Sequence, residues 1–194
     1  MLDADHFRLT LATRERTELA LPDFKPSAVL VPILCVNGDD HLLFTRRSLT
    51  VEHHKGQISF PGGRLDNGET LGECALRETH EEIGIPPDRV QILGALDDIW
   101  TPTKYVVTPF VGLAPYPWDF RLSADEIDDL LIVPVRDLLD PAIFEETQIH
   151  YEGRTAAVPY YHWGDQIIWG ATGRIVRQFL ALAYPGKDPS CGAR

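Results

Sequence analysis

Three glutamates stand at positions 78, 81 and 82, with Arg77 directly before the first. On a helix of 3.6 residues per turn, the spacing i, i+3, i+4 gathers their carboxylates on one arc. Ala75, Leu76, Thr79 and Ile83 fall on the opposite arc, where they can face a core. Like charges so close repel, and an unpaired cluster costs stability. A hard divalent cation resolves the conflict, because Mg²⁺ takes oxygen ligands, keeps several waters and is shared with substrate phosphates. The plainer reading is a solvated acidic helix face.

A helix placed for such chemistry needs ends and a sheet to lean on. The helical stretch runs from about Glu69 to Ile83, capped by Gly84 and closed off by Pro86-Pro87. Before it, a loop over 46–59 leads to Phe60-Pro61-Gly62-Gly63. Ala28–Val36 reads as a buried strand in which Pro32 argues for an edge or a bulge, and Asn37-Gly38-Asp39-Asp40 turns it into a second strand over His41–Thr45. Val90–Leu96, Val106–Leu113 and Leu130–Pro134 read as further strands, Asp125–Asp129 as a short helix or turn, and Gly173–Tyr184 as a C-terminal helix. Residues 3–20, with Phe7, Leu9, Leu11 and Leu19 among charges, fit a short amphipathic helix ended by Pro22 and Pro26. The order of elements predicts a mixed α+β layer architecture.

Composition narrows the partners. The 194 residues carry 29 Asp+Glu against 18 Lys+Arg, a net charge of −11, and 44% of them are hydrophobic. One domain with a sizeable core is the expectation. The acidic balance, with a pI near 5.0, offers no basic stripe for a phosphate backbone and argues against general nucleic-acid binding. Three cysteines, Cys35, Cys74 and Cys191, are an odd number without CxxC spacing, which argues against a disulfide framework or structural zinc. The start, MLDADHFRLTLATRER, carries acids where a signal peptide wants bases, and no run of 18 apolar residues occurs. The expectation is a soluble, cytoplasmic protein with no membrane partner.

The arrangement Gly63, Glu69, Arg77-Glu78-Thr79-His80-Glu81-Glu82-Ile83-Gly84-Ile85 resembles the Nudix box, GX5EX7REUXEEXGU, where U is a bulky aliphatic. All seven fixed positions match, and a chance match in one chain is of order one in a million at background frequencies. That outweighs the solvated-face reading. Thr79 is the one departure, at a U position. The resemblance implies a mixed sheet sandwiched between helices, a loop–helix–loop metal site, and hydrolysis of a nucleoside diphosphate linked to another moiety with Mg²⁺ or Mn²⁺. It implies Glu78 and Glu82 as metal ligands, Glu81 as a further ligand or the activator of water, and Glu69 as a residue that supports or completes the metal shell. Arg77 would hold the carboxylates by ion pairs, and Gly63 would let its backbone approach the metal.

The substrate class lies outside the box. Leu42-Leu43-Phe44-Thr45-Arg46-Arg47-Ser48, Gly56 and Phe60-Pro61-Gly62-Gly63 resemble the extra motif of the coenzyme A diphosphatase branch, with Phe44 in place of a Leu and Glu52 in place of an Arg. Tyr105–Gly112, Val133–Leu139 and Ile168–Thr172 extend the likeness over roughly 27–184. The implied reaction cleaves coenzyme A and its derivatives to adenosine 3′,5′-bisphosphate and 4′-phosphopantetheine. Alternatives are a Nudix hydrolase for ADP-ribose, dinucleotides or oxidised nucleotides, or a non-catalytic nucleotide sensor, which predicts lost box carboxylates. Arg47 is the candidate ligand of the 3′-phosphate, because a guanidinium grips phosphate bidentately. His54, Gln57 and Ser59 are further candidate contacts, Gln57 and Ser59 being equally suited to bracing the loop. Glu126 could be a general base or a peripheral cap. Domain boundaries are expected at 1–26 (an N-terminal extension), 27–184 (the Nudix core) and 185–194 (a tail), in a monomer or homodimer. The extension is read as a partial lid over the substrate groove, or as packing on the far side or at a subunit interface.

Overall fold

A computed structural model describes residues 1–48, 56–151, 153–187 and 189, with the backbone alone at 151 and 154. His53, His54, Glu52 and Cys191 lie outside the described residues. The central feature is a mixed sheet built on β1 (Lys25–Val36) and β2 (Asp39–Arg47). Asn37 and Gly38 between them both have positive φ, 51° and 88°, the pair that a two-residue hairpin turn with matching twist requires. Residues 33–36 pair with 39–42, and the two strands then diverge. Into the gap goes Ile58–Arg64: β3 (Ile58–Ser59) pairs with β2, and β4 (Gly62–Arg64) pairs with β1.

On its other edge β1 runs parallel to β7 (Tyr105–Leu113), which pairs in turn with β5 (Gln91–Ala95) and β6 (Ile99–Trp100). β8 (Ile127–Pro134) lies on the outer edge of β2. Strand β1 is therefore central, and Pro32 marks neither an edge nor a bulge. The Leu30 N–H points toward the Pro61 carbonyl at 2.9 Å. Two residues on, Pro32 faces the same side, past the end of β4 and before pairing with β2 begins. No donor is needed there, which is the condition a proline meets. The expected helix or turn at Asp125–Asp129 is a turn over 124–126 only, and 127–129 already belong to β8.

Helix α2 (Leu71–Ile83) covers one face of the sheet. Ala28 and Leu30 of β1 meet Cys74 and Ala75, while Leu34 and Leu43 meet Ile83 and Ile85. The helix begins two residues later than expected because Thr70 and Glu73 form a reciprocal capping box. The opposite face carries α4 (Gly170–Ala183) and a second sheet of β9 (Phe144–Tyr151), β10 (Arg154–Trp163) and β11 (Gln166–Ile168). Val31, Ile33, Val107 and Val111 pack there against Ile175, Val176 and Phe179. Helix α3 (Val135–Leu138) follows β8.

The N-terminal helix α1 is shorter than expected, Ala4–Thr13, with Asp3 as its cap. It joins the α4 face: Phe7 and Leu11, four residues apart, are buried, and Phe7 meets Phe179 edge-on. Leu9 points out and Leu19 lies beyond the helix. The helix is thus on the far side of the sheet from α2, away from the carboxylates. Gly94 of β5 has no room for a side chain there, a Cβ falling 2.8 Å from the Cβ of Leu11. Leu11→Ala should lower unfolding free energy by about 2–3 kcal/mol in urea titration and leave KM unchanged, the outcome opposite to that for a lid. Among the described residues, no helix is long and apolar enough to cross a membrane.

Candidate active site

The Phe60–Gly63 wedge presses the start of β4 against α2. Gly62 sits at φ 156°, and a Cβ there would stand 2.3 Å from the Ala28 carbonyl oxygen and 2.6 Å from the Val29 Cα. Its N–H donates to Glu82 Oε2 at 3.3 Å. Gly63 lies against Glu78, one turn earlier on the helix, where a Cβ would fall 2.3 Å from Glu78 Oε1. Two glycines in succession therefore let backbone meet two carboxylates, as only residues without side chains can.

Arg77 is the organiser. Its Nε and Nη2 donate to the two oxygens of Glu69 at 3.0 and 2.9 Å. Nη1 donates to Glu78 at 2.9 Å and to Glu81 at 3.0 Å, and Nη2 reaches the Arg64 carbonyl at 3.1 Å. The guanidinium, aided by the Asp66 N–H, holds the Glu69 carboxyl down at about 2. Its own pKa is raised, first by Glu69. Glu69 braces Arg77, and Arg77 holds Glu78 and Glu81 in place.

Glu82 differs. It is 3% exposed, and burial pushes its pKa up to about 8, against the pull of Arg47 and the Gly62 N–H. Burial also raises Glu78, against the pull of Arg77. Glu126 adds to both shifts, so its carboxylate lies within electrostatic reach of each. The loop before β8 explains this approach. The N–H groups of Arg121 and Ser123 donate to the last carbonyls of α2, those of Ile83 and Glu82, at 3.1 and 3.0 Å. Trp118 Nε1 donates to the Gly84 carbonyl at 3.2 Å. Gly84 caps the helix at φ 77°, and a Cβ there would be 3.0 Å from the Cβ of Arg121. The box glycine thus docks the segment that carries Glu126. Trp118 carries no such signal in the sequence.

Of the flanking candidates, Arg47 ends β2 with Nη1 3.8 Å from Glu82 Oε1. Its Nε is buried without a hydrogen-bond partner among the described residues. The Arg47 N–H donates to the Gln57 carbonyl at 3.0 Å and its own carbonyl accepts from the Gly56 N–H at 3.1 Å, which closes the loop between them. Ser59 has its hydroxyl 3.2 Å from that of Thr45, in the ladder between β2 and β3. Thr79, the departure from the box, is fully buried and satisfies its hydroxyl on the Ala75 carbonyl at 2.6 Å. Cys74 lies under Arg77, and burial pushes its thiol up to about 11, so it is no nucleophile at neutral pH.

Among the described residues, no three acidic, histidine or cysteine groups converge closely enough to grip an ion as they stand. The donor set nonetheless fits a hard cation. Every candidate ligand is oxygen, two of the carboxylates are desolvated, and Gly63 opens a cradle beside Glu78 that a side chain would fill.

Comparison with known proteins agrees with this geometry. A model of the NUDIX domain matches residues 25–152. NudL of Yersinia pestis (strain Pestoides F), an uncharacterized Nudix hydrolase, is 38% identical over 152 residues, 78% of this chain and 76% of its own length. An Ap4A hydrolase from C. elegans, solved as a binary complex, superposes with a TM-score of 0.50 at 22% identity, over 57% of this chain and 80% of that one. The Nudix hydrolase RenU from M. smegmatis gives 0.50 at 19% identity, over 59% and 73%. These two speak for the fold alone. With the family model spanning the whole wedge and carboxylate helix, the chain belongs to the Nudix family and is a hydrolase of phosphorus-containing anhydrides.

Proposed function

We propose that the enzyme cleaves the diphosphate of coenzyme A and its derivatives, releasing adenosine 3′,5′-bisphosphate and 4′-phosphopantetheine. One observation carries this reading. The described parts of the segment that resembles the coenzyme A branch, residues 42–48 and 56–63, lie along the carboxylate site, with Arg47 on Glu82 and Gly62-Gly63 on Glu82 and Glu78. A second supports a long substrate. Leu19, Leu21, Phe24 and Pro26 line, with Leu71 at the start of α2, a largely apolar cavity of about 340 Å³ suited to an aliphatic arm.

Nudix hydrolases work with divalent metals. Glu78, Glu82 and Glu81 would hold Mg²⁺ or Mn²⁺ here, with Gly63 against it and Glu69 supporting the shell through Arg77. Such an ion neutralises the diphosphate and lowers the pKa of a bound water. Arg77 fixes the carboxylates in one arrangement before substrate arrives, so the site needs little reorganisation. Glu126, exposed and beside the buried pair, can accept a proton from water. Arg47 holds Nη1 3.8 Å from Glu82, and this place beside the carboxylates favours the diphosphate over the 3′-phosphate as its target.

Product chromatography after incubation with Mg²⁺ tests the substrate class. Coenzyme A should be consumed faster than ADP-ribose, NADH or 8-oxo-dGTP, and preference for any of these would overturn the reading. Arg47→Ala should cost about 1.5–3 kcal/mol in kcat/KM, the range for a charged hydrogen bond. The loss should be equal for coenzyme A and dephospho-coenzyme A. A loss confined to coenzyme A would move Arg47 to the 3′-phosphate.

A further inference from the structure

On the face of the sheet away from the carboxylates, α4 and β10 flank an open cavity of about 480 Å³. Arg174, Arg177, Gln178 and Ala181, one stripe of α4, form one wall, and Thr155 to Pro159 form the other. The stripe carries two guanidinium groups in a protein of net charge −11. Arg177 pairs with Glu146 of β9 at the rim. Arg174 has no such acid among the described residues. Its Nη1 donates to the Trp100 carbonyl at 2.9 Å, and its guanidinium carbon stands 5.6 Å from the centre of the Trp100 ring. Among the described residues no carboxylate pairs with it, although burial already disfavours its charge.

Half-buried charges are ordinarily paired. Four other half-buried arginines each meet an acid: Arg14 meets Asp97, Arg16 meets Asp98, Arg47 meets Glu82 and Arg77 meets Glu69. At Arg174 the opposite wall offers instead Thr155, two alanines and a proline, with no acid and no aromatic ring among them. Gln178 cannot serve a ligand freely, because its amide is bonded to the backbone of Asp97 at both ends.

We propose that this cavity is a second ligand site, for a phosphomonoester with a short aliphatic arm. Arg174 grips the phosphate with its free fork edge, and the arm lies along Ala156, Ala157, Pro159 and Ala181. Arg177 joins as Glu146 yields to the ligand, a competition that holds affinity down. A purine would find no stacking surface on either wall. The site is independent of the coenzyme A reading, since it uses no group of the carboxylate helix and its test uses no hydrolysis.

The test is calorimetric titration of the full chain with glycerol 3-phosphate, inorganic phosphate and AMP, without divalent metal. Glycerol 3-phosphate should bind saturably and more tightly than the other two. Its affinity should be unchanged in Glu82→Gln, at least tenfold weaker in Arg174→Gln, and severalfold tighter in Glu146→Gln, which frees Arg177. A site that does not use Arg177 would leave the Glu146→Gln affinity where it was. Absence of saturable binding in the unsubstituted chain, or equal affinity in a folded Arg174→Gln protein, would overturn the proposal. Preference for inorganic phosphate or AMP would overturn the aliphatic arm. Should Arg174→Gln fail to fold, Arg177→Gln at the rim decides, with at least threefold weaker binding expected and unchanged binding counting against the site.

Discussion

Replacing Glu82 by Gln should lower turnover by about two orders of magnitude or more at saturating Mg²⁺, the range for loss of a major electrostatic contribution. The metal-free protein should become more stable. Both effects have one cause, a carboxylate that is 3% exposed and whose pKa burial pushes up to about 8. A group with a folded pKa above its unfolded value contributes stability below the unfolded pKa and loses it as pH rises through the folded one. For Glu82 the window runs from the ordinary carboxylate range to about 8. Metal-free protein should therefore lose stability across that window, and the Gln variant should show a flatter profile in thermal melts by pH. Ion binding at pH 7 should release a proton, seen as a calorimetric heat that depends on the buffer. Turnover within threefold of the unsubstituted enzyme would remove Glu82 from the metal shell.

Gly63→Ala should be nearly as damaging to activity while sparing the fold. The backbone at Gly63 has no positive φ that a side chain would strain. The three atoms nearest to a Cβ there all belong to the Glu78 carboxylate, at 2.3 to 2.6 Å. That carboxylate is the end of a flexible side chain, so it can move aside, but then it leaves the place where Arg77 holds it. A displacement of about 1 Å in a catalytic group can cost about 10²-fold. We expect kcat to fall by about that factor, with an unfolding midpoint close to that of the unsubstituted protein. Gly62→Ala is the contrast, since its Cβ would strike backbone at Ala28 and Val29. It should unsettle the sheet itself, visible as a large drop in melting temperature. Similar melting curves for the two variants would contradict the assignment of Gly63 to the carboxylate and Gly62 to the wedge.

The composition and spacing of one short stretch determined a good deal. Seven fixed residues from Gly63 to Gly84 marked the family and the helix, because i, i+3, i+4 spacing and a glycine cap are local properties of the chain. The hairpin at Asn37-Gly38 was legible for the same reason, its turn requiring positive φ at both residues. Even the later start of α2 was readable in Thr70-x-x-Glu73.

Other features only the tertiary structure decided, because they depend on which strands become neighbours. Pro32 looked like an edge signal, yet it sits in the central strand, where two partners succeed each other and leave one position without need of a donor. The second sheet, Phe144 to Ile168, gave little periodic signal, since β9 is mostly exposed and β10 carries buried residues on both sides. Helix α1 announced an apolar stripe but not the face it would choose; Phe179 and Leu11's contact with Gly94 put it opposite the active site. Arg47 could be read as a phosphate ligand, but its 3.8 Å approach to Glu82 exists only after β2 and α2 have packed on the same wedge. Arg174 gave no sign in the sequence at all, because a cation's lack of a counter-charge is a property of its surroundings and not of its neighbours in the chain.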